Sequence, residues 1–379
     1  MTIVRPLQRF AYCCAKFFTS CRHLRFCAKR MCHHVSHMKT PQLSSRIVAF
    51  IVGLCLLPAL ASAQVPRFDS MYVFGDSLVD TGNVLVQSRI FRDNPPVPPS
   101  KSPHRTYYEG RFSNGYVAVE FLWESLSGHA PDSSRGLKTF LESPLIRSVG
   151  AVDFAYGGTG TPVLDQTPGG MWAPGLKGQV ELFKLALLGR KPSSHSLYVV
   201  ATGANDYRDD AFNVPMDPAD VARNIEDAIS NLYKLGARDV MVLNLPDLGL
   251  IPANMIDPEV SAAATEGSRL HNLALDAALS RLRSRYPKLH LIPINLDIPF
   301  NQLRATVLPP GQWPIPALET IVPGSSPCLF AAPVTCPDIP EEAFNVDLGF
   351  LFWDVVHPTT QAHRYLGQYL LDQLAQSYQ

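Results

Sequence analysis

The sequence predicts an α/β protein, a three-layer α/β/α sandwich around a central, mainly parallel sheet of five strands. Five short apolar segments rich in Val, Leu and Ile lie at Ser70–Gly75, 151–155, 197–201, 239–245 and 289–294. Strands buried on both faces read this way, as apolar runs without alternation. Helical patterns fill the gaps, at about residues 115–127, 178–189, 218–235 and 261–285, and a last one covers 359–376. Strand and helix in alternation place helices on both faces of a parallel sheet. A hydrophobic content of 46% over 379 residues is enough for a sizeable core.

The chain opens on a segment that does not belong to this pattern. The apolar run 47–60 follows a basic stretch free of Asp and Glu and ends in Ala61, Ser62 and Ala63 before Gln64, the small-residue pattern of a signal-peptide cleavage site. Residues 1–63 therefore read as leader and signal peptide, and the mature chain is expected to start at Gln64 in a secreted or periplasmic location. About 14 apolar residues, interrupted by Pro58, fall short of the roughly 20 of a spanning helix, so no stable transmembrane anchor is expected after cleavage. Met38, followed by Lys39 and Arg46, offers a second start that would make residues 1–37 an upstream extension. The sequence leaves both starts open. The leader's cysteines and histidines have no regular paired spacing, which argues against a metal site there.

The net charge of zero averages two unlike parts. Nine Lys and Arg and no acid lie in residues 1–63, leaving 24 basic against 33 acidic residues beyond them. A net negative mature chain without a basic stripe is a poor nucleic-acid binder. No HExxH, paired CxxC or clustered carboxylate pattern occurs, so neither metal nor cofactor is expected. Cys328 and Cys336 remain beyond the cleavage point and are expected to form a disulfide in an oxidising compartment.

Residues 64–379 read as a single domain with surface insertions near 89–111, which is rich in proline, and near 296–350. The second insertion either roofs a pocket or is tolerated surface. Trp172 and Trp313 are candidates for lining an apolar groove, or for plain packing.

Four short motifs carry chemistry, each at the carboxyl end of an expected strand or ahead of the last helix. Gly75-Asp76-Ser77-Leu78 follows the first strand, where glycine permits a tight exit and a helical turn directs amides toward an anion. The same Asp and Ser are equally suited to capping a helix. Gly157-Gly158 follows the second strand and offers a backbone donor with no side chain in the way. Gly203-Ala204-Asn205-Asp206 follows the third, with Asn205 as an amide donor and Asp206 holding its own loop. Trp353-Asp354-Val355-Val356-His357-Pro358 places a carboxylate three residues before an imidazole. Asp354 can fix the tautomer of His357, and His357 can take the Ser77 proton. His195, His271, His290 and His363 lack a nearby upstream acid on a loop.

In this order the motifs closely resemble the GDSL lipases and esterases, the SGNH hydrolases. Asp80-Thr81-Gly82-Asn83 and the stretch Gly110-Arg111-Phe112-Ser113-Asn114-Gly115 extend the likeness, which spans about residues 70–375. The resemblance implies an SGNH-hydrolase-like, flavodoxin-like fold and cleavage of carboxylic esters. It implies a catalytic Ser77, Asp354 and His357, an oxyanion hole of Ser77, Gly158 and Asn205, and a small-molecule or lipid ester as substrate. Gly158 is preferred over Gly157 on the resemblance alone. Lysophospholipase or acyltransferase chemistry uses the same site, and an inactive lipid- or carbohydrate-binding protein is the alternative of another class. Protein partners are not indicated.

Overall fold

The computed structural model describes residues 66–379 apart from 94–95, 103–104, 145–149, 168–169, 209–213 and 308–337. The leader, the signal-peptide site, Trp313, Cys328 and Cys336 lie outside the described residues, and the structure gives no support to the disulfide. Residues from Ala63 to Gln379 form one compact unit. Among the described residues, no helix is long and apolar enough to cross a membrane.

The strands are β1 (Ser70–Gly75), β2 (Lys138–Thr139), β3 (Gly150–Asp153), the hairpin β4 (Leu164–Gln166) and β5 (Trp172–Pro174), β6 (Ser196–Ala201), β7 (Asp239–Leu243) and β8 (His290–Ile294). The helices are α1 (Asn83–Phe91), α2 (Ala118–Ser127), α3 (Leu176–Ala186), α4 (Pro218–Leu235), α5 (Pro252–Met255), α6 (Pro258–Arg285), α7 (Asp297–Val307) and α8 (Thr360–Gln376). The main sheet runs β2-β3-β1-β6-β7-β8, and every pairing in it is parallel. It has six strands where the sequence indicated five. The extra strand, β2, is a two-residue edge, too short to leave a periodic signal.

Alternation along each strand divides the core. Tyr72, Phe74, Tyr198, Val200, Val240 and Val242 face α3, α4 and α6, while Met71, Val73, Leu197, Val199 and Met241 face α2 and α8. Both faces are covered, which is why these strands read as continuous apolar runs. From β1 the chain goes to the short edge strand β2, returns to β3 beside β1, and then crosses to β6 and runs outward through β7 and β8, so that without β2 the order is β3-β1-β6-β7-β8. This is the flavodoxin-like order, and its switch point opens a crevice at the carboxyl ends of β1 and β6.

The two regions read as surface insertions are partly structural. Residues 89–91 finish α1, and 297–307 are helical as α7. Tyr107 packs with Ile339, Ala343, Phe344 and Trp353 in a buried cluster. Arg105 donates to the Glu341 carboxylate at 2.6 Å, and its carbonyl accepts the Ile339 N–H at 2.6 Å. The pairing of two loops more than 200 residues apart has no local signature.

Candidate active site

β1 delivers Ser77 to the crevice, and the exit from the strand is tightly constrained. A Cβ on Gly75 would lie 2.1 Å from the Ala201 carbonyl oxygen, so only glycine fits beside β6. The buried Gln179 side chain of α3 clamps the Gly75 backbone, accepting from its N–H and donating to its carbonyl, both at 2.8 Å. After Ser77 the Val79 and Asp80 N–H groups return to the Asp76 carbonyl in a single helical turn. Neither Asp76 nor Ser77 caps α1, which starts only at Asn83. Asp80 serves its first turn, accepting from the N–H groups of Gly82, Asn83 and Val84.

Asp80 also accepts the Gly157 N–H at 2.8 Å. That bond occupies the Gly157 donor, and Gly158, at φ 79, makes no backbone hydrogen bond to a described residue. The physical distinction between the two glycines therefore favours Gly158 as the amide open to a ligand. Asp153 at the end of β3 completes the latch, accepting from the Thr81 N–H at 2.7 Å and hydroxyl at 2.9 Å. Asn83 donates to the carbonyls of Asp153 and Ala155, both at 2.9 Å. Burial pushes the Asp76 carboxyl up to about 7 and Asp80 to about 6. Asp153 is raised well above the usual range, first by burial and then by the charge of Asp80.

The β6 loop is tied to the glycine loop. Asn205 Nδ2 donates to the Thr159 carbonyl at 3.2 Å, leaving its second proton for another acceptor. Asp206 accepts from the Thr161 N–H and, at 2.7 Å, its hydroxyl. It therefore bridges two loops, where the sequence suggested it held only its own. Gly203, at φ 124, sits over the His271 ring, 2.6 Å from where a Cβ would be placed.

Asp354 and His357 arrive together on the loop before α8. His357 Nε2 lies 2.8 Å from Ser77 Oγ, and its Nδ1 lies 2.7 Å from Asp354 Oδ2. Asp354 Oδ1 accepts the N–H groups of Val356 and His357, each at 2.7 Å. The α8 cap is Thr359, so Asp354 is not a helix cap. Burial alone would raise the Asp354 carboxyl, but His357 and these hydrogen bonds hold it below the usual carboxylate range. Phe112 packs against the imidazole at 5.2 Å between ring centres. The four competing histidines stay outside this arrangement. Of these, His363 is fully buried, its Nδ1 accepting the Ala118 N–H.

Tyr107 was not among the expected site residues. Its buried hydroxyl donates to Asp354 Oδ2 at 2.8 Å across 247 positions of sequence. The neighbouring stretch 110–115 was legible as a motif, and Tyr107 lies just ahead of it in a region read as loop.

A groove of about 90 Å³, open to solvent, runs beside Ser77 and Asn205. Its wall is mainly apolar: Leu245, Leu248 and Ile251 after β7, Leu296 and Phe300 around the start of α7, and Phe352. Asn272 of α6 holds the Leu245 backbone through both its N–H and carbonyl. Trp172 is exposed and does not line this groove. Among the described residues, no cluster of His, Cys, Asp and Glu could hold a metal ion.

The family described as GDSL-like Lipase/Acylhydrolase matches residues 71–370, and the chain belongs to this family of ester-hydrolysing enzymes. It is similar to a phosphatidylcholine-sterol acyltransferase of Aeromonas hydrophila, 27% identical over 84% of this chain and 93% of that protein. It is likewise similar to a GDSL esterase/lipase of Arabidopsis thaliana, 26% identical over 89% of this chain and 99% of the relative. Among solved structures, a Corynascus carbohydrate esterase family 2 enzyme aligns with TM-score 0.41 and 14% identity, covering 84% of this chain and 68% of that one.

Proposed function

We propose that the protein cleaves carboxylic esters through a Ser77-His357-Asp354 triad and an acyl-enzyme. The observation that carries this reading is the continuous chain from Ser77 Oγ through both imidazole nitrogens to Asp354. An ionised Asp354 accepts a hydrogen bond from the His357 Nδ1–H, which fixes the tautomer and leaves the Nε2 lone pair facing the serine hydroxyl. Ser77 Oγ attacks the ester carbonyl carbon as its proton passes to Nε2. The developing oxyanion is received by the N–H groups of Ser77 and Gly158 and by the free amide proton of Asn205. Collapse breaks the bond to the alcohol oxygen, which leaves with the imidazolium proton. Water then attacks the acyl-enzyme with His357 again as base, releasing the carboxylic acid and restoring Ser77.

The groove is proposed to take the acyl chain, because its apolar lining begins at Leu78 and Ala204 beside the nucleophile and the Asn205 amide. The name of the Aeromonas relative suggests that a lipid alcohol can replace water in the second half-reaction. The domain reading and export, with maturation at Gln64, complete the proposal.

The test is an active-site phosphonate and a panel of phenyl esters offered to the purified protein, with and without an added alcohol. One covalent group at Ser77, with loss of turnover, is the expected result. Labelling of another serine with turnover retained in Ser77→Ala would refute the mechanism. Transesterified product in the alcohol arm would assign acyl transfer.

A further inference from the structure

Two elements rooted at the same rim carry an apolar patch that the chemistry above does not use. At the carboxyl end of α1, Ile90 and Phe91 are 66% and 65% exposed. On the β4–β5 hairpin, Leu164 and Trp172 are 59% and 60% exposed. The elements adjoin, because Gln87 Nε2 of α1 donates to the Trp172 carbonyl at 2.6 Å. Ile90 and Phe91 stand three and four residues after Gln87, on the helix face turned toward the hairpin. Leu164 pairs with Pro174 and Gln166 with Trp172, so Leu164 and Trp172 point to one side of the hairpin while Asp165 and Ala173 are buried beneath.

The patch is bordered by charge. Arg89 and Arg92 flank Ile90 and Phe91 and are themselves exposed, and neither is ion-paired with a described residue. Large apolar and aromatic side chains beside guanidinium groups that have no ion pair among the described residues match a surface of acyl chains under a layer of phosphates. The apolar groups enter the acyl boundary and arginine binds phosphate in a fork. Both elements are anchored next to the nucleophile, since Asp80 holds the first turn of α1 and the Gly157 N–H that leads into the hairpin.

We propose that Ile90, Phe91, Leu164 and Trp172, with Arg89 and Arg92, dock the enzyme on an anionic lipid surface. The site would then work at the interface where lipid esters lie. This inference rests on the esterase reading only for its purpose, and the docking itself is measured without turnover.

The probes are vesicles of phosphatidylcholine with and without phosphatidylglycerol, co-sedimented with the purified protein, alongside hydrolysis of a soluble short-chain ester. The wild type is expected to bind the anionic vesicles with a blue shift of tryptophan emission. Ile90→Ser/Phe91→Ser should lower partitioning about tenfold or more, and Arg89→Gln/Arg92→Gln should remove the preference for phosphatidylglycerol and its salt dependence. Turnover of the soluble ester should stay within about twofold in both variants, since neither pair touches the proposed triad. Absence of wild-type binding, or binding unchanged in both variants, would overturn the proposal. So would light scattering that shows a wild-type dimer dissociated by Ile90→Ser/Phe91→Ser, because the patch would then cover a second copy of the chain. Vesicle binding without turnover of any ester would instead leave the docking in place and sink the esterase reading.

Discussion

The two walls of the crevice are built on opposite principles. On the nucleophile side, three loops are bolted together by buried carboxylates: Asp80 joins β1 to the glycine loop, Asp153 holds Thr81, and Asp206 ties the Asn205 loop to Thr161. On the groove side, the backbone is held by neutral amides, Asn272 on Leu245 and Asn244 on Leu296, and by the half-buried carboxylates of Asp297 on the Asp247 N–H and Asp247 on Gly249, while the side chains facing the cavity are mostly apolar. Buried carboxylates fix geometry because each lost partner leaves an unsatisfied charge or dipole. Apolar walls fix only volume, and neighbouring side chains can repack. Under the proposed mechanism, the first wall would set reaction geometry and the second substrate choice.

The comparison breaks first at Ser77. Ser77→Ala should lower kcat by about 10⁵ to 10⁶, as expected when a triad nucleophile is removed, with an unchanged circular-dichroism spectrum. Next, Asn205→Ala should cost about 10² to 10³ in kcat with little change in KM, the effect of losing one oxyanion donor. Steady-state kinetics on one soluble ester measures both losses, and an unchanged circular-dichroism spectrum separates them from a folding defect.

Asp80→Ala strikes the bolted wall itself. Four N–H groups lose their acceptor, and a loss of about 3 kcal/mol or more in urea unfolding is expected, together with slower turnover. Phe300→Ala, on the opposite wall, should leave stability nearly intact and shift acyl-length preference by about tenfold or less, read from the ratio of kcat/KM across a chain-length series. Equal effects of Asp80→Ala and Phe300→Ala on stability would erase the contrast.

The smallest effect expected is in pH dependence. Burial depresses His363 to about 3 and His271 to about 4, so both are neutral in the folded protein at pH 7. The unfolded chain binds their protons below about 6.5, and stability from these two groups is therefore present above that pH and lost as pH falls toward 4. His363→Gln, which keeps an acceptor for the Ala118 N–H, should flatten the acid limb of a Tm-versus-pH curve. An unaltered limb would remove His363 from that account.

Much of the fold was legible because burial on both faces writes itself into composition. β1 was read at its observed bounds, and the other four long strands within two residues, since a parallel strand under two helical layers must be apolar throughout. Helix α4 was also read at its observed bounds, with Asp217 as a cap, Pro218 at its first position and Gly236 at its end. The start of α7 was missed because an acid, a proline and a preceding strand end resemble a loop.

For the site, the sequence by itself determined which residue types stand at which strand ends: a serine after β1, glycines after β3, an asparagine after β6, and an acid and histidine ahead of α8. Strand ends are local features, set by glycine exits and by the polar residues that follow apolar runs. Only the tertiary structure decided which donors are free and which are already engaged. Gly157 gives its N–H to Asp80 and Gly158 does not, a distinction invisible in two adjacent identical letters. Tyr107 reaches Asp354 because two loops pack around Trp353, and the groove exists because α7 folds against the β7 loop. Such contacts join residues up to 247 positions apart, and no local pattern records them, since hydrogen-bond partners at that distance are selected by packing of the whole sheet and its helices.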